Sequence, residues 1–548
     1  MPLTLSYPGV YVEEVPSGVR TIVGVSTSNT AFIDYFPRGE VGRAVRVTSP
    51  EDFNRRFGGP NRNSEASYAV QQYYLNGGSI AWVIRVLAPN ATTAERVVSA
   101  SATYDGVSGG SGGSGGNALR ITAASPGEWG NNMQVGIDYN ETQQLAGQPV
   151  EFNLVVREVV DGQVTQSEIF RNLSNADRTS SRFVEEVINN SSALIRVASL
   201  SLGVLPQDTG ADVIAALGDG ANTANFLGLG ESPFQAGGDG TVPGDPANDQ
   251  WENGVGATAI INGMRLLDRI APEVFNIMCI PAAATFNDAN YQTVINEATK
   301  FCHDHRAFLI VDTPPGVTLD GMPAWMKAHD TLRSDHSAIY FPRVTMPDVL
   351  NANRPREVGP SGTLAGVYAR TDATRGVWKA PAGTEAGLRN TNLLVQMTDL
   401  ENGALNPNGI NALRGFPVFG NVAWGARTLD GADQKASEYK YVPIRRTALF
   451  IESSLYNGLQ WVVFEPNDEP LWGQIRLNVG AFLNSLFRQG AFQGKTSREA
   501  YFVKCDKDTT TQNDVDRGIV NIVVGFAPLK PAEFVVIKIQ QIAGQIAV

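Results

Sequence analysis

The chain has 548 residues, 43% of them hydrophobic and 18% charged, with a formal net charge of -12. That length allows several domains with sizeable cores, and the composition excludes wholesale disorder. The acidic balance argues against nucleic acid as a partner, because phosphate binding needs a basic surface.

The first residues, "MPLTLSYPG", have neither the charged start nor the apolar core of a signal peptide, and no apolar run approaches the ~20 residues that span a bilayer. The expectation is a protein made and folded in the cytoplasm, without membrane insertion. "SYPGVYVEEVPSGVRTI", residues 6–22, is too rich in Val and Tyr for a solvated tail. End segments fray unless tied down, so this one docks on its own body or on another's. Val10 and Val12 form one face of an extended segment, and Tyr11, Glu13 and Val15 the other.

"SPEDFNRRFGG" carries a helix start, with Ser49 as N-cap and Pro50 in the first position. "SEASYAVQQYYLNGG" reads as a second helix ending at Gly77, and "SIAWVIRVLA" as a buried strand, which together make an α/β unit. A Gly/Ser tether at 105–117 follows, and beyond it "ALRITAAS", "NMQVGIDYN" and "FNLVVREVV" alternate as strands between turns. Residues 99–245 therefore read as a β-rich domain inserted into the α/β unit.

The α/β texture resumes with "FNIMCIPAA" and "RAFLIVDTPP", short apolar runs suited to buried parallel strands, separated by a helix-like "NYQTVINEATKFCHDH". From about residue 405 the texture changes again. In "EPLWGQIRLNVGAFLNSLFRQGAF", Trp472, Ile475, Val479, Phe482, Leu483 and Leu486 share one helical face. "YFVKCD", "GIVNIVVGFAP" and "EFVVIKIQQI" read as strands. The last holds Phe534, Val535, Val536, Ile537 and Ile539 close to the terminus. Between 471 and 504 five basic residues (Arg476, Arg488, Lys495, Arg498 and Lys504) face one acid, Glu499, a local basic balance suited to an acidic partner.

Three clusters invite chemistry, and each has a plainer explanation. His303 and His305 sit two apart, so on a helix they diverge by about 200° and mark a polar helix end rather than a metal site. "GPSGTLAG" around Ser361 lacks the G-x-S-x-G spacing of a nucleophile elbow and the Gly-Lys-Ser/Thr ending of a P-loop, and reads as a tight turn opening a helix. Glu465, Asp468 and Glu469 precede an apolar helix, where acids favour the N-terminus. Cys279, Cys302 and Cys505 are widely spaced and read as small core residues. No catalytic residue, metal site or cofactor is expected.

"YPGVYVEEVPSGVRTIVGVSTSNTAFIDYFPRG", "NGGSIAWVIRV", "SPGEWGNNMQVGI", "PSGTLAGVYARTDATRGVWKAPAG", "LFIESSLYNGLQWVVFEPNDEPLWGQIRLNVGAFLNSLF" and "PAEFVVIKIQQ" resemble, in order, the contractile tail sheath proteins of phages and phage-tail-like injection systems. The resemblance implies an α/β (α+β) multidomain chain. It has an extended N-terminal arm (1–25), a subtilisin-like α/β sheath core (26–98 and 246–404) and an inserted outer domain (99–245). A tube-facing C-terminal domain (405–548) is completed by strands from neighbouring subunits. It implies stacked rings of this chain around a tail tube, with baseplate and terminator or cap proteins at the ends. Arg476, Arg488, Lys495 and Arg498 are then the tube-facing candidates. Two other classes compete: a non-contractile surface lattice or adhesin protein, and an α/β hydrolase using Ser361 or Glu465.

Overall fold

The computed structural model describes residues 20–101, 116–145, 148–231, 234–244 and 249–538. Val10, Tyr11, Val12, Glu13, Val15, most of the Gly/Ser tether and Ile539 lie outside the described residues.

Strands β1 (Thr30–Asp34), β2 (Val45–Val47) and β3 (Ala81–Arg85) frame helices α1 (Pro50–Phe57) and α2 (Glu65–Asn76). The helix ends follow local chemistry. Ser49 Oγ accepts the Asp52 N–H at 3.1 Å, Pro50 opens α1, and Gly58 closes it at φ 92°, which only glycine adopts without strain. The chain then leaves for a β-rich excursion: β4 (Glu95–Ser99), β5 (Asn117–Ala123), β6 (Met133–Asp138), β7 (Phe152–Val160), β8 (Gln163–Leu173), α3 (Val184–Ser191) and β9 (Ile195–Ser199). It returns through α4 (Gly256–Met264), β10 (Ile277–Cys279), α5 (Asp288–Asp304), β11 (Phe308–Asp312), β12 (Ser337–Phe341), α6 (Ser361–Arg375), β13 (Ile410–Phe416) and β14 (Gly420–Ala423). Helices α7 (Val442–Gly458) and α8 (Glu469–Arg488) and strands β15 (Tyr501–Lys504) and β16 (Val523–Phe526) follow.

An eight-stranded sheet in the order β2-β3-β1-β10-β11-β12-β13-β14 organises the middle of the molecule. Its six inner strands run parallel, and the outermost pair at each edge is antiparallel. Both faces are covered, which is why β1, β3, β11 and β12 are buried at every position and read as continuous apolar runs. Side chains alternate between two cores. Ile33, Ile84, Met278 and Leu309 pack with α4 and α5, whereas Phe32, Val83, Cys279 and Ile310 pack with α1, α2 and α6.

The glycines of "SGTLAG" serve this packing. A Cβ on Gly362 would stand 2.4 Å from the Ala69 carbonyl oxygen, and one on Gly366 2.5 Å from that of Tyr73. Helix α6 thus lies backbone to backbone on α2, and the two glycines are the surface that permits it.

The two larger antiparallel sheets of the excursion, β9-β5-β4 and β8-β7-β6 extended by Leu227–Gly228, enclose their own core of Val98, Leu119, Ile121, Val135, Leu154, Val156, Ile188 and Ile195. Here two sequence boundaries shift. Strand β4 begins at Glu95, and Thr92 already bridges Gly238, so the excursion starts upstream of residue 99. Strands β13 and β14 lie beyond residue 405 yet belong to the eight-stranded sheet. Both shifts have one cause: a strand's local pattern does not reveal which sheet receives it.

Two buried carboxyls stand at the carboxyl ends of parallel strands. Asp34 accepts the N–H groups of Tyr35 and Ala66 and the Ser64 hydroxyl, at 2.7, 2.9 and 3.1 Å, and Asp312 accepts the N–H and hydroxyl of Ser361, at 2.8 and 2.5 Å. Burial pushes Asp34 up to about 7 and Asp312 up to about 6, with Glu65 adding to both and Arg343 opposing at Asp312. A folded-state pKa raised above the unfolded one favours folding fully at pH below about 4, and that contribution fades as pH rises through about 6–7. Melting temperature is therefore expected to fall between pH 5 and pH 8 by a few degrees. Asp34→Asn should start lower, having lost an acceptor, and follow a flatter profile; an equally steep one would exclude Asp34 as the titrating group.

Candidate assembly surface

The C-terminal part is built on α7 and α8. Asp468 caps α8 by accepting the Leu471 N–H at 3.2 Å, as its place before the helix implies. The six apolar residues predicted to share a face are all buried there, and Ile22 packs among them. Glu469 is taken by Arg476 in an ion pair of 2.5 Å, and Arg476 also donates to the Cys505 carbonyl. Arg476 is thereby held within its own subunit. Arg488, Lys495 and Arg498 are exposed and form no ion pair among the described residues.

Beyond α8, β15 and β16 form an antiparallel pair in register Tyr501↔Phe526, with Phe502 and Val523 half exposed. A two-stranded sheet is marginal alone, and neither outer edge of this one carries a further strand among the described residues.

The first and the last described segments are both fastened to the body. At the N-terminal root, Arg20 N–H donates to Asn478 Oδ1 at 3.0 Å, its guanidinium lies 4.6 Å from the Trp461 ring centroid, and Val25 N–H donates to Ser454 Oγ at 3.2 Å. Ile22 sits against Gly458, where a Cβ would come within 2.6 Å of it. Arg446 then donates to the Thr27 carbonyl at 2.8 Å before β1 begins.

At the C-terminal root, Arg427 donates from Nε and Nη2 to both oxygens of Glu533, at 2.7 and 2.6 Å, and Tyr441 adds its hydroxyl at 3.2 Å. Arg427 is 1% exposed. Burial pulls its guanidinium down, but the hydrogen bond and charge of Glu533, with Asp433, more than offset this and hold it above its ordinary value. A cavity of about 740 Å³ separates residues 529–534 from Trp378, Lys379 and Trp424. Past Glu533, Phe534, Val535, Val536 and Ile537 are 76–81% exposed. Among the described residues, 534–538 form no strand and no other strand lies alongside them to complete a ladder.

The residues with chemical potential are spent on structure. Ser361 is fully buried and gives its hydroxyl to Asp312, at the start of α6. His303 and His305 turn to separate carboxylates, Asp304 and Asp268. Sequence reasoning missed Arg427, Glu533 and Asn478. Their partners lie 106 and 458 residues away, and no local pattern announces such a pair.

Residues 434–542 match the phage tail sheath C-terminal domain family. The tail sheath protein of Vibrio phage KVP40 is 27% identical over 188 residues, 34% of this chain and 27% of that protein. The chain thus matches about a quarter of that curated relative's length. Among solved structures, the baseplate of the anti-feeding prophage contains a chain with TM-score 0.54 and 22% identity, covering 98% of this chain and 99% of its own. The PVC sheath complex of an extracellular contractile injection system, in its contracted state, gives TM-score 0.55 and 19% identity over 99% of both chains. The mixed α/β fold is shared with these two solved chains over nearly all of their length.

Proposed function

We propose that this chain, which shares its fold with sheath proteins and carries a sheath C-terminal domain near its end, is the repeating subunit of a contractile tail sheath. It polymerises around a tail tube and contracts to drive the tube through a target envelope. One observation carries the proposal: the matched domain contains the two-stranded β15–β16 sheet and the exposed run after Glu533. An unfinished sheet and unpaired apolar segments are complementary, and strand addition in trans satisfies the main-chain groups of both. Because donor and acceptor surfaces differ, the contact is heterologous; it closes rings and propagates along a tube.

In this reading residues 1–25 form the N-terminal arm, its root fastened to the body from Arg20 onward, and the parallel-sheet body is the sheath core. The excursion between about 90 and 245 is the outer domain, and the part from α7 onward faces the tube. Arg488, Lys495 and Arg498 are the tube contacts, with Arg476 withdrawn to its internal pair. The ends of the array meet baseplate and terminator proteins. The subunit acts by changing its packing and not by catalysis, and takes no part in nucleic-acid binding or membrane insertion.

Negative-stain electron microscopy of the intact chain, of a deletion of residues 1–19 and of a deletion of 534–548 tests this. The intact chain, with its tube protein as template, is expected to give long hollow tubes, and each deletion separate rings or subunits. Tubes from all three chains would sink the strand-sharing arrangement. Tubes that never shorten on a chemical trigger would favour a static lattice.

A further inference from the structure

Among the described residues, the C-terminal run that would reach a neighbour is tied to its own subunit through the side chain of Glu533. Glu533 immediately precedes the exposed apolar residues and gives both carboxylate oxygens to Arg427. A bidentate guanidinium–carboxylate pair fixes direction as well as distance. Arg427 cannot swing with its partner, because Nη1 donates to the Asn406 carbonyl and to Asp433, both at 2.9 Å. Its backbone is held too. Its N–H donates to Asn411 Oδ1 at 2.7 Å, and Asn411 Nδ2 donates to the carbonyls of Arg427 and of Ile339, at 2.8 and 3.0 Å. Asn411 is in β13 and Ile339 in β12, two neighbouring strands of the eight-stranded sheet.

The covalent route from the same point is slack by comparison. Ala527 is hydrogen-bonded to Ala500 and Gln493, and Pro528 bridges Phe492. From Leu529 to Glu533 no backbone hydrogen bond to the body is present among the described residues. Five unsupported residues reach up to about 17 Å, several times the ~4.8 Å spacing of neighbouring strands.

We infer that Arg427 and Glu533 anchor the C-terminal arm to the eight-stranded sheet, so that a neighbour holding the arm pulls on the core through this ion pair rather than through the slack chain from β16. This rests on the sheath reading above. Arg427 and Glu533 are positioning residues: with the pair made, the arm leaves from one point, and the ordering cost of joining a neighbour's sheet falls on the residues beyond it. During rearrangement of the array the arm bends after Glu533, while its root stays with the core.

The test uses Glu533→Ala and the milder Glu533→Gln in the full chain, since replacing Arg427 would strip several carbonyls of their donor and risk the fold itself. A nitroxide spin label at the exposed position 530 (Lys530→Cys, the natural cysteines Cys279, Cys302 and Cys505 being buried) is expected to become clearly more mobile in Glu533→Ala and less so in Glu533→Gln, with the melting temperature moved by no more than about 2 °C. Sheath tubes grown from unlabelled chain on the tube protein are expected to be at least about fivefold shorter in Glu533→Ala and intermediate in Glu533→Gln. Unchanged label mobility would remove the clamp. Higher mobility with tubes of normal length would show the clamp to be dispensable for assembly, overturning its role as an anchor. If the unaltered chain makes no tubes, the sheath reading fails and the anchoring role falls with it, while the label mobility still reports whether the clamp exists.

Discussion

Asp372→Ala is expected to lower the free energy of unfolding by about 3–5 kcal/mol, because it strands a buried cation. Arg446 donates to Asp372 at 2.9 and 2.6 Å, and both side chains are 3% exposed. Burial draws the guanidinium's pKa down, and the Asp372 charge and hydrogen bonds more than restore it. Without Asp372 the guanidinium keeps the Thr27 carbonyl and the face of Tyr368, whose ring centroid is 4.8 Å away. Neither neutralises it, and water cannot reach it. The pair joins α6, α7 and the N-terminal root, so the loss should also loosen the segment through which the first arm leaves. Urea unfolding followed by tryptophan fluorescence measures it. The double replacement Arg446→Met with Asp372→Leu is expected to recover most of the loss, since an apolar pair removes the desolvated charge altogether. A single variant within about 1 kcal/mol of the unaltered chain would mean that the site rearranges to admit water.

Gly362→Ala is expected to cost about 1–3 kcal/mol, and the double change with Gly366→Ala more than either alone. The atoms a new methyl would strike are backbone atoms of α2, the Ala69 carbonyl oxygen at 2.4 Å and its Cα at 2.6 Å, and those cannot turn aside as a flexible side chain would. The two helices must separate, opening the core that holds Tyr68, Leu364 and Tyr368. A control separates this from helix propensity: a Cβ on Gly480 of α8 meets nothing within 4 Å. Gly480→Ala is therefore expected to stabilise the chain by about 0.5–1 kcal/mol. Equal and small effects at Gly362 and Gly480 would mean that α6 and α2 are not in backbone contact.

Legible in the sequence alone is what neighbouring residues settle among themselves. The Ser49 cap and Pro50 open α1, because capping acts within one turn. The apolar stripe of α8 was readable from 3.6-residue spacing, and the buried runs of β3 and β11 from their length and their branched or aromatic residues. Segments resembling the sheath proteins follow one another along the chain in the family's order.

Contacts between distant segments were decided only in three dimensions. Local patterning makes "INALRGF" a strand, but placing it beside β12, and so in the large sheet, is a matter of which hydrogen-bonding edge was free. The four basic residues near α8 look alike in the sequence; Arg476 is distinguished because Glu469 and the Cys505 carbonyl happen to lie within its reach. "SGTLAG" advertises small residues without saying that α2 lies against them. Arg427 and Glu533 are unremarkable in their own stretches, and their pairing exists because two parts of the chain 106 residues apart exclude water from the same place. Periodicity and capping are short-range physics and can be read along one dimension. Desolvation and close packing depend on everything that surrounds a group, so they become definite only when the chain has closed on itself.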